Sequence, residues 1–123
     1  MNFQEIEKLK QSAFDAQKSG NLDEAIRLMN EYLSKVDSGF THPCHLFLAE
    51  IFFEKKEFEN ALSSLNQSIT LSKNFLPAFE LRTQIYEFLG NKTLQINDLK
   101  KIEEIKNLEK SKWDDPDHYY NYK

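Results

Sequence analysis

The sequence predicts an all-α protein of six helices, arranged as three helix-turn-helix repeats that stack into a solenoid. Three related segments begin at Gly20, Lys56 and Gly90, at intervals of 36 and 34 residues. Apolar residues recur at helical spacing on both sides of each segment. A period near 34 residues is typical of helix-turn-helix arrays, whose units bury their apolar faces only by stacking. The chain contains only three Gly and three Pro, which favours long helices over many short strands.

Helix-breaking and helix-starting residues set the limits of the predicted helices. Gly20 and Gly90 end the first and fifth helices, because glycine tolerates the left-handed conformation that follows many helices. Pro43 and Pro77 fit the first turn of the third and fifth helices, where the missing N–H costs nothing. The other helices are predicted at about residues 3–19, 22–36, 57–71 and 93–110, and the longest internal loop at residues 37–42.

Two helices carry further signals. Asn21, followed three residues later by Glu24, predicts a variant of the capping box at the start of the second helix. The sixth helix carries six lysines between Lys92 and Lys112, interleaved with acidic residues that include Asp98. This alternation of charge predicts a solvated helix surface with salt bridges rather than a phosphate-binding stripe.

Composition and charge exclude several classes of function. A net charge of -4 argues against nucleic-acid binding, and the 40% hydrophobic content is ordinary for a globular protein. The amphipathic N-terminus lacks the apolar core of a signal peptide, and no stretch approaches membrane-spanning length. The lone Cys44 cannot form an internal disulfide. We therefore expect a cytoplasmic protein with neither a membrane nor a nucleic-acid partner.

Small and large residues recur at equivalent places in the three repeats. The small positions are Ala13, Ala49 and Thr83 in the first helices and Ala25, Ala61 and Gln95 in the second helices, while Leu9, His45 and Phe79 occupy a large position. In this pattern residues 6–110 resemble the tetratricopeptide repeat family, with His45 and Gln95 as departures. The resemblance implies a right-handed α-solenoid in residues 1–112, with repeats at about 6–39, 42–75 and 76–110, and a tail at 113–123.

The resemblance also implies a concave groove, lined by the first helix of each repeat, that binds an extended peptide or a helix. The residues that helical spacing places in this groove are Lys10, Phe14, Gln17, Leu46, Phe47, Glu50, Phe53, Glu54, Glu80, Leu81, Gln84, Glu87 and Phe88. Exposed Phe47, Phe53, Leu81 and Phe88 would form an apolar patch with an acidic rim. This predicts a protein or peptide partner with apolar and some basic residues. In the alternative interpretation, Phe53 and Phe88 pack between adjacent repeats.

One branch of the family holds acidic chaperone C-termini in this groove with a clamp of lysine, arginine and asparagine. Lys10 matches one clamp position, but Phe14, Phe47, Pro77 and Leu81 occupy the other four. A carboxylate beside those side chains would lack hydrogen-bond donors. The sequence therefore excludes the chaperone clamp.

The C-terminal tail combines aromatic residues with aspartates. Trp113, Tyr119, Tyr120 and Tyr122 carry the large apolar area and polar groups that are common at interfaces. The tail has three interpretations: a cap on the last helix, a segment that enters the groove of a second molecule and forms a homo-oligomer, or a segment that another protein recognises.

Catalysis and cofactor binding find no support. The segment His42–His45 contains two histidines and Cys44, but zinc needs four ligands and only His118 remains elsewhere. Cys44 has no evident base or oxyanion pocket, and no Gly-rich phosphate loop exists. We therefore predict no catalytic residue, metal or cofactor, and interpret the chain as a protein–protein interaction module. The alternative is a small secretion-type chaperone that holds a client segment in the same groove.

Overall fold

The computed structural model describes residues 1–114, with side chains described through residue 112. Within this range the chain forms six α-helices and no strand: α1 (Phe3–Lys18), α2 (Leu22–Lys35), α3 (His42–Glu54), α4 (Phe58–Leu71), α5 (Leu76–Leu89) and α6 (Lys92–Asp114). They divide into two compact units, Met1–Lys73 with α1 to α4 and a second unit that begins at Asn74 and contains α5 and α6. The predicted helix pairs are confirmed, since α1 packs on α2, α3 on α4 and α5 on α6.

The observed helix limits lie within two residues of those predicted, except at the end of α6. This helix continues to Asp114, so Trp113 lies in the helix and not in the tail. Among the isoleucines and leucines of α6, Ile105 is buried at 2% exposure and Ile102 is half-buried. The others are 40–55% exposed: Leu94, Ile96, Leu99 and Leu108.

The turn inside each helix pair contains one residue with a left-handed backbone. Gly20 has a φ of 79°, Lys56 of 64° and Gly90 of 73°. These residues begin the three related segments found in the sequence, so the repeat spacing marks a shared turn. Glycine adopts this conformation without steric cost, whereas the Cβ of Lys56 crowds its own backbone.

Side-chain caps occur at other helices than the one predicted. The Asn2 side chain accepts a hydrogen bond from a backbone N–H in the first turn of α1 at 2.9 Å, and Asn91 does the same for α6 at 3.1 Å. The predicted capping box is wrong, because Asn21 makes no capping hydrogen bond. The Glu24 carboxylate instead accepts a hydrogen bond from the Arg27 guanidinium at 2.9 Å.

In the unit Met1–Lys73, alanines occupy the small positions of both helix pairs. Ala13 and Ala25 of the first pair are fully buried, as are Ala49 and Ala61 of the second pair. Alanine lets paired helices approach to the short end of the usual range of about 8–10 Å. Larger side chains fill the space beside them and join the first pair to α3 in one cluster with Ala13 and Ala25: Met29, Tyr32, Phe47, Leu48 and Ile51.

A hydrogen bond and two ion pairs stabilise the second helix pair of this unit. The buried Ser68 hydroxyl on α4 donates a hydrogen bond to the His42 carbonyl oxygen at 2.9 Å, which ties α4 to the start of α3. The Lys55 ammonium, directly after α3, contacts the carboxylate of Asp23 on α2 and lies 3.0 Å from that of Glu57. Lys55 therefore bridges the turns of the two pairs.

In the unit that begins at Asn74, an ion pair joins α5 to α6. The Arg82 guanidinium donates two hydrogen bonds of 2.7 Å to the two oxygens of the Asp98 carboxylate. The guanidinium carbon lies 5.3 Å from the ring centroid of Phe79 and 5.9 Å from that of Tyr86. Asp98 is 4% exposed, so its predicted place on a solvated surface is wrong. A bidentate pair between arginine and a carboxylate is a strong form of ion pair, and the nearby aromatic rings add cation–π contacts.

The left-handed turn at Lys56 generates a stability prediction. We expect Lys56→Gly to raise the free energy of unfolding by about 1 kcal/mol, because glycine removes the steric clash at positive φ. The opposite change, Gly90→Ala, introduces a Cβ at positive φ and is expected to lower the free energy of unfolding by about 1 kcal/mol. Urea denaturation followed by circular dichroism measures both. Destabilisation by Lys56→Gly would contradict this account of the turn.

Removal of one partner of the buried ion pair is expected to be costly. Asp98→Ala leaves the Arg82 guanidinium without its carboxylate in a mostly buried position, at an expected cost of about 3–5 kcal/mol. Hydrogen exchange of the α5 and α6 amides measures the loss. The double change Arg82→Met with Asp98→Leu is expected to restore most of the protection, because it leaves no buried charge. Equal loss in both variants would show that shape, rather than charge, matters at this site.

Candidate functional site

One exposed side of α3, within the unit Met1–Lys73, carries an acidic face. Pro43, Glu50 and Glu54, which we call the acidic face of α3, are exposed and lie at sequence intervals that place them on one side of the helix. Among the described residues, neither carboxylate forms an ion pair. Partial burial raises the pKa of the Glu50 carboxyl above its ordinary value. Both glutamates are therefore available to a basic partner.

Phe47, predicted as an exposed groove residue, belongs to the core. Its side chain is 7% exposed, and its ring packs edge-on against that of Phe14, with centroids 5.1 Å apart. The prediction failed because Phe47 comes one residue after the groove position Leu46, and that step of 100° turns its side chain towards α1. The contact makes Phe47 a link between α1 and α3 rather than a ligand-binding residue.

The other predicted groove residues of this unit differ in exposure. Lys10, Phe14, Gln17, Leu46 and Phe53 are half-buried. The Phe53 ring packs against the Phe58 ring of α4, with centroids 5.8 Å apart. Phe53 therefore packs within its own helix pair, and the predicted exposed apolar patch is smaller than the sequence suggested.

A cavity of about 280 Å³ lies beside the start of α3, between α1, α2 and the α2–α3 loop. Its wall combines the aromatic and aliphatic side chains of Phe14, Tyr32, Val36, Phe40 and Pro43 with polar ones that include Lys10, Asp37 and Thr41. We call it the ring-lined cavity. The Lys10 ammonium at its edge lies 3.6 Å from the Glu7 carboxylate and 5.3 Å from the centroid of the Tyr32 ring.

Phe40, on the rim of the ring-lined cavity, was missed by the sequence analysis. It is 93% exposed and has a φ of 62°, in the left-handed region. The turn that holds it is fixed, because the backbone N–H of the buried Thr41 donates to the Ser38 carbonyl oxygen at 3.2 Å. The sequence signal was the dipeptide Gly39-Phe40 in a predicted loop, which places a large apolar residue where a polar one is usual.

A second, more open cavity of about 690 Å³ lies along α4. Its wall combines Leu62 and Leu71 with hydroxyl and amide side chains, and His45 of α3 contributes to it. Burial lowers the pKa of the His45 imidazole below its ordinary value. His45 is half-buried, at the position where the other two repeats have Leu9 and Phe79.

In the unit that begins at Asn74, the exposed side of α5 carries a second acidic stripe. Glu80, Gln84, Glu87 and Phe88 are exposed, and we call them the acidic face of α5. Phe88 is 70% exposed, whereas the neighbouring predicted residue Leu81 is half-buried. Among the described residues, Glu80 and Glu87 form no ion pair. This face combines one large ring with two carboxylates.

Reactive chemistry has little basis in the described residues. Burial raises the pKa of the Cys44 thiol, whereas a nucleophilic cysteine needs a lowered one. No group of three or more His, Cys, Asp or Glu that could hold a metal occurs in residues 1–112. None of the six described helices is long and apolar enough to cross a membrane. Tyr119, Tyr120 and Tyr122 of the predicted tail lie outside the described residues, as does the side chain of Trp113.

Comparison with known proteins identifies the repeat. Residues 42–75 match the model of the tetratricopeptide repeat. The structure is similar to the crystal structure of MamA, with a TM-score of 0.73 and 20% identity over 83% of this chain. It is also similar to the first TPR of Spaghetti (RPAP3) bound to the HSP90 peptide SRMEEVD, with a TM-score of 0.73, 21% identity and coverage of 85% of this chain and 82% of that one. No curated protein matches the sequence.

The second TPR of Spaghetti, bound to the same peptide, gives a TM-score of 0.71 at 18% identity and covers 81% of this chain and 91% of that one. The chain spans 58% of the length of MamA. These similarities confirm the predicted all-α helical-repeat fold and the resemblance to the tetratricopeptide repeat family. At such low identity they establish the fold alone.

The burial of Phe47 generates a prediction for this region. Phe47→Glu is expected to unfold the unit Met1–Lys73, because it places an unpaired charge beside the Phe14 ring in the core. Phe47→Leu keeps an apolar side chain and is expected to cost about 1 kcal/mol. Thermal unfolding followed by circular dichroism compares the two. Wild-type stability of Phe47→Glu would contradict the core position of Phe47 and would support its predicted place in the exposed groove.

Proposed function

We propose that this chain, a tetratricopeptide-repeat protein by its fold and by the repeat at residues 42–75, is a non-catalytic module that binds a protein segment with apolar and basic residues. The observation that carries the proposal is the presence of an acidic face on the first helix of two repeats. Each face combines carboxylates that have no ion-pair partner among the described residues with apolar side chains nearby. Such surfaces suit a partner segment of opposite charge with apolar anchors.

The charge of these faces argues against an acidic ligand. The two Spaghetti domains bind an HSP90 peptide, SRMEEVD, that ends in acidic residues. In this chain the exposed side of α3 presents Glu50 and Glu54, and that of α5 presents Glu80 and Glu87. Like charges facing each other weaken binding, so we infer a basic rather than an acidic partner segment.

The proposal is tested by selection from a random peptide library displayed on phage, with the full chain as bait. We expect selected peptides to share an aromatic or leucine residue together with Lys or Arg. The affinity of a synthesised peptide is measured for two double variants, Glu50→Gln with Glu54→Gln and Glu80→Gln with Glu87→Gln. We expect the variant of the face that the peptide binds to show an affinity roughly threefold to tenfold lower than the wild type, and a smaller difference at high salt. Isothermal titration calorimetry measures each affinity.

A matched control uses acidic residues outside both faces. Glu59→Gln on α4 and Glu109→Gln on α6 remove exposed carboxylates and should leave the affinity unchanged. Two results would contradict the proposed partner chemistry. One is the selection of peptides rich in Asp and Glu, and the other is an unchanged affinity for both double variants.

A further inference from the structure

The ring-lined cavity has the size of a pocket for a single side chain. Its volume of about 280 Å³ exceeds the ~150 Å³ that suffices for a benzene-sized guest in an apolar cavity. It is smaller than the ~300 Å³ at which pockets for drug-sized ligands begin. The space therefore fits one ring or one branched aliphatic side chain.

The charge of the pocket favours a neutral occupant. Its wall contains one cation, Lys10, and one anion, Asp37. The Lys10 ammonium already lies against the Glu7 carboxylate and over the Tyr32 ring. The other wall residues include three aromatic rings and two aliphatic side chains, beside which a charged side chain would lose part of its hydration.

Phe40, at the rim of this pocket, has a backbone conformation that is sterically unfavourable for phenylalanine. Its left-handed backbone favours glycine, and its 93% exposed ring contributes little to the stability of the fold. Glycine at this turn position would avoid the strain, and the free chain would lose little packing. Backbone strain of this kind clusters at binding sites, and Phe40 lies on the wall of a pocket.

The acidic face of α3 extends from the pocket. Pro43 lines the pocket, and Glu50 and Glu54 lie further along the same side of the helix. At about 1.5 Å of rise per residue, these glutamates lie about 10 Å and 16 Å along the helix from Pro43. An extended segment, which advances about 3.3 Å per residue, covers those distances in about three and five residues.

We propose that the ring-lined cavity binds one neutral aromatic or branched aliphatic side chain of a partner segment, with Phe40 closing over it. Basic residues about three and five positions along that segment meet Glu50 and Glu54. This inference refines the function proposed above, on which it rests, by assigning the apolar anchor to one pocket and the basic residues to one helix.

The probe for the pocket is the peptide acetyl-Phe-Gly-Gly-Lys-Gly-Lys-amide, together with its reversed sequence, acetyl-Lys-Gly-Lys-Gly-Gly-Phe-amide. Titration of the ¹⁵N-labelled full chain is expected to shift the amide signals of Tyr32, Phe40 and Cys44 for at least one of the two. Replacing the peptide Phe by Ala should weaken binding roughly tenfold. Replacing both Lys by Glu should weaken it roughly threefold to tenfold.

Cys44 supplies an independent readout, because it is the single cysteine of the chain and lies on the cavity wall. An occupied pocket should slow its alkylation by iodoacetamide, measured by mass spectrometry at fixed pH. N-acetylphenylalanine amide should protect Cys44 at least as well as the free acid. Stronger protection by the acid would overturn the proposal, because it would indicate a carboxylate site at Lys10.

Two variants with the same backbone change separate binding from stability. Phe40→Gly and Lys56→Gly both place glycine at a left-handed residue. Both should fold with at least wild-type stability in urea, but only Phe40→Gly should weaken peptide binding, by roughly threefold or more.

Wild-type affinity in Phe40→Gly, or signal shifts away from the pocket, would overturn this inference. If library peptides still bound more weakly to the Glu80→Gln with Glu87→Gln variant, the proposed function would stand. If their affinity for that variant were also unchanged, both proposals would be wrong.

Discussion

The close approach of paired helices at small side chains is the constraint on which the rest of this structure depends. Ala13, Ala25, Ala49 and Ala61 have no exposed surface, so the helices of the first two pairs meet with little between them. That approach fixes the register in which neighbouring side chains turn inwards or outwards. The exposure of Glu50 and the burial of Phe47 are both consequences of this register.

The third pair lacks these alanines and is held together differently. Thr83 and Gln95 replace alanine there, and the buried Thr83 hydroxyl has no hydrogen-bond partner among the described residues. In the same pair, Arg82 and Asp98 form a directional contact across α5 and α6. A bidentate ion pair specifies geometry in a pair that lacks the alanines, although burial of its charges offsets much of its contribution to stability.

Sequence reasoning predicted most of the fold because the repeat spacing, the glycines and the prolines act locally. It placed every helix start within one residue, and it identified Glu50, Glu54, Glu80 and Glu87 as exposed. It failed where the outcome depended on contacts between helices. The burial of Phe47 depends on Phe14 of another helix, and that of Asp98 on Arg82, and neither contact leaves a periodic signal in one helix.

The two left-handed residues other than glycine show how a shared conformation can have different origins. Lys56 occupies a turn position at which the other two repeats have Gly20 and Gly90, so the repeat itself requires that backbone. The positive φ of Phe40 has a local origin, because Phe40 is the third residue of the hydrogen-bonded turn Ser38–Thr41, where a type II turn has a positive φ. The two turns therefore account for both backbones, but not for the choice of phenylalanine at a position that favours glycine or asparagine. A cost that glycine would avoid, carried by an exposed ring at the rim of a pocket, is better explained by what that ring binds.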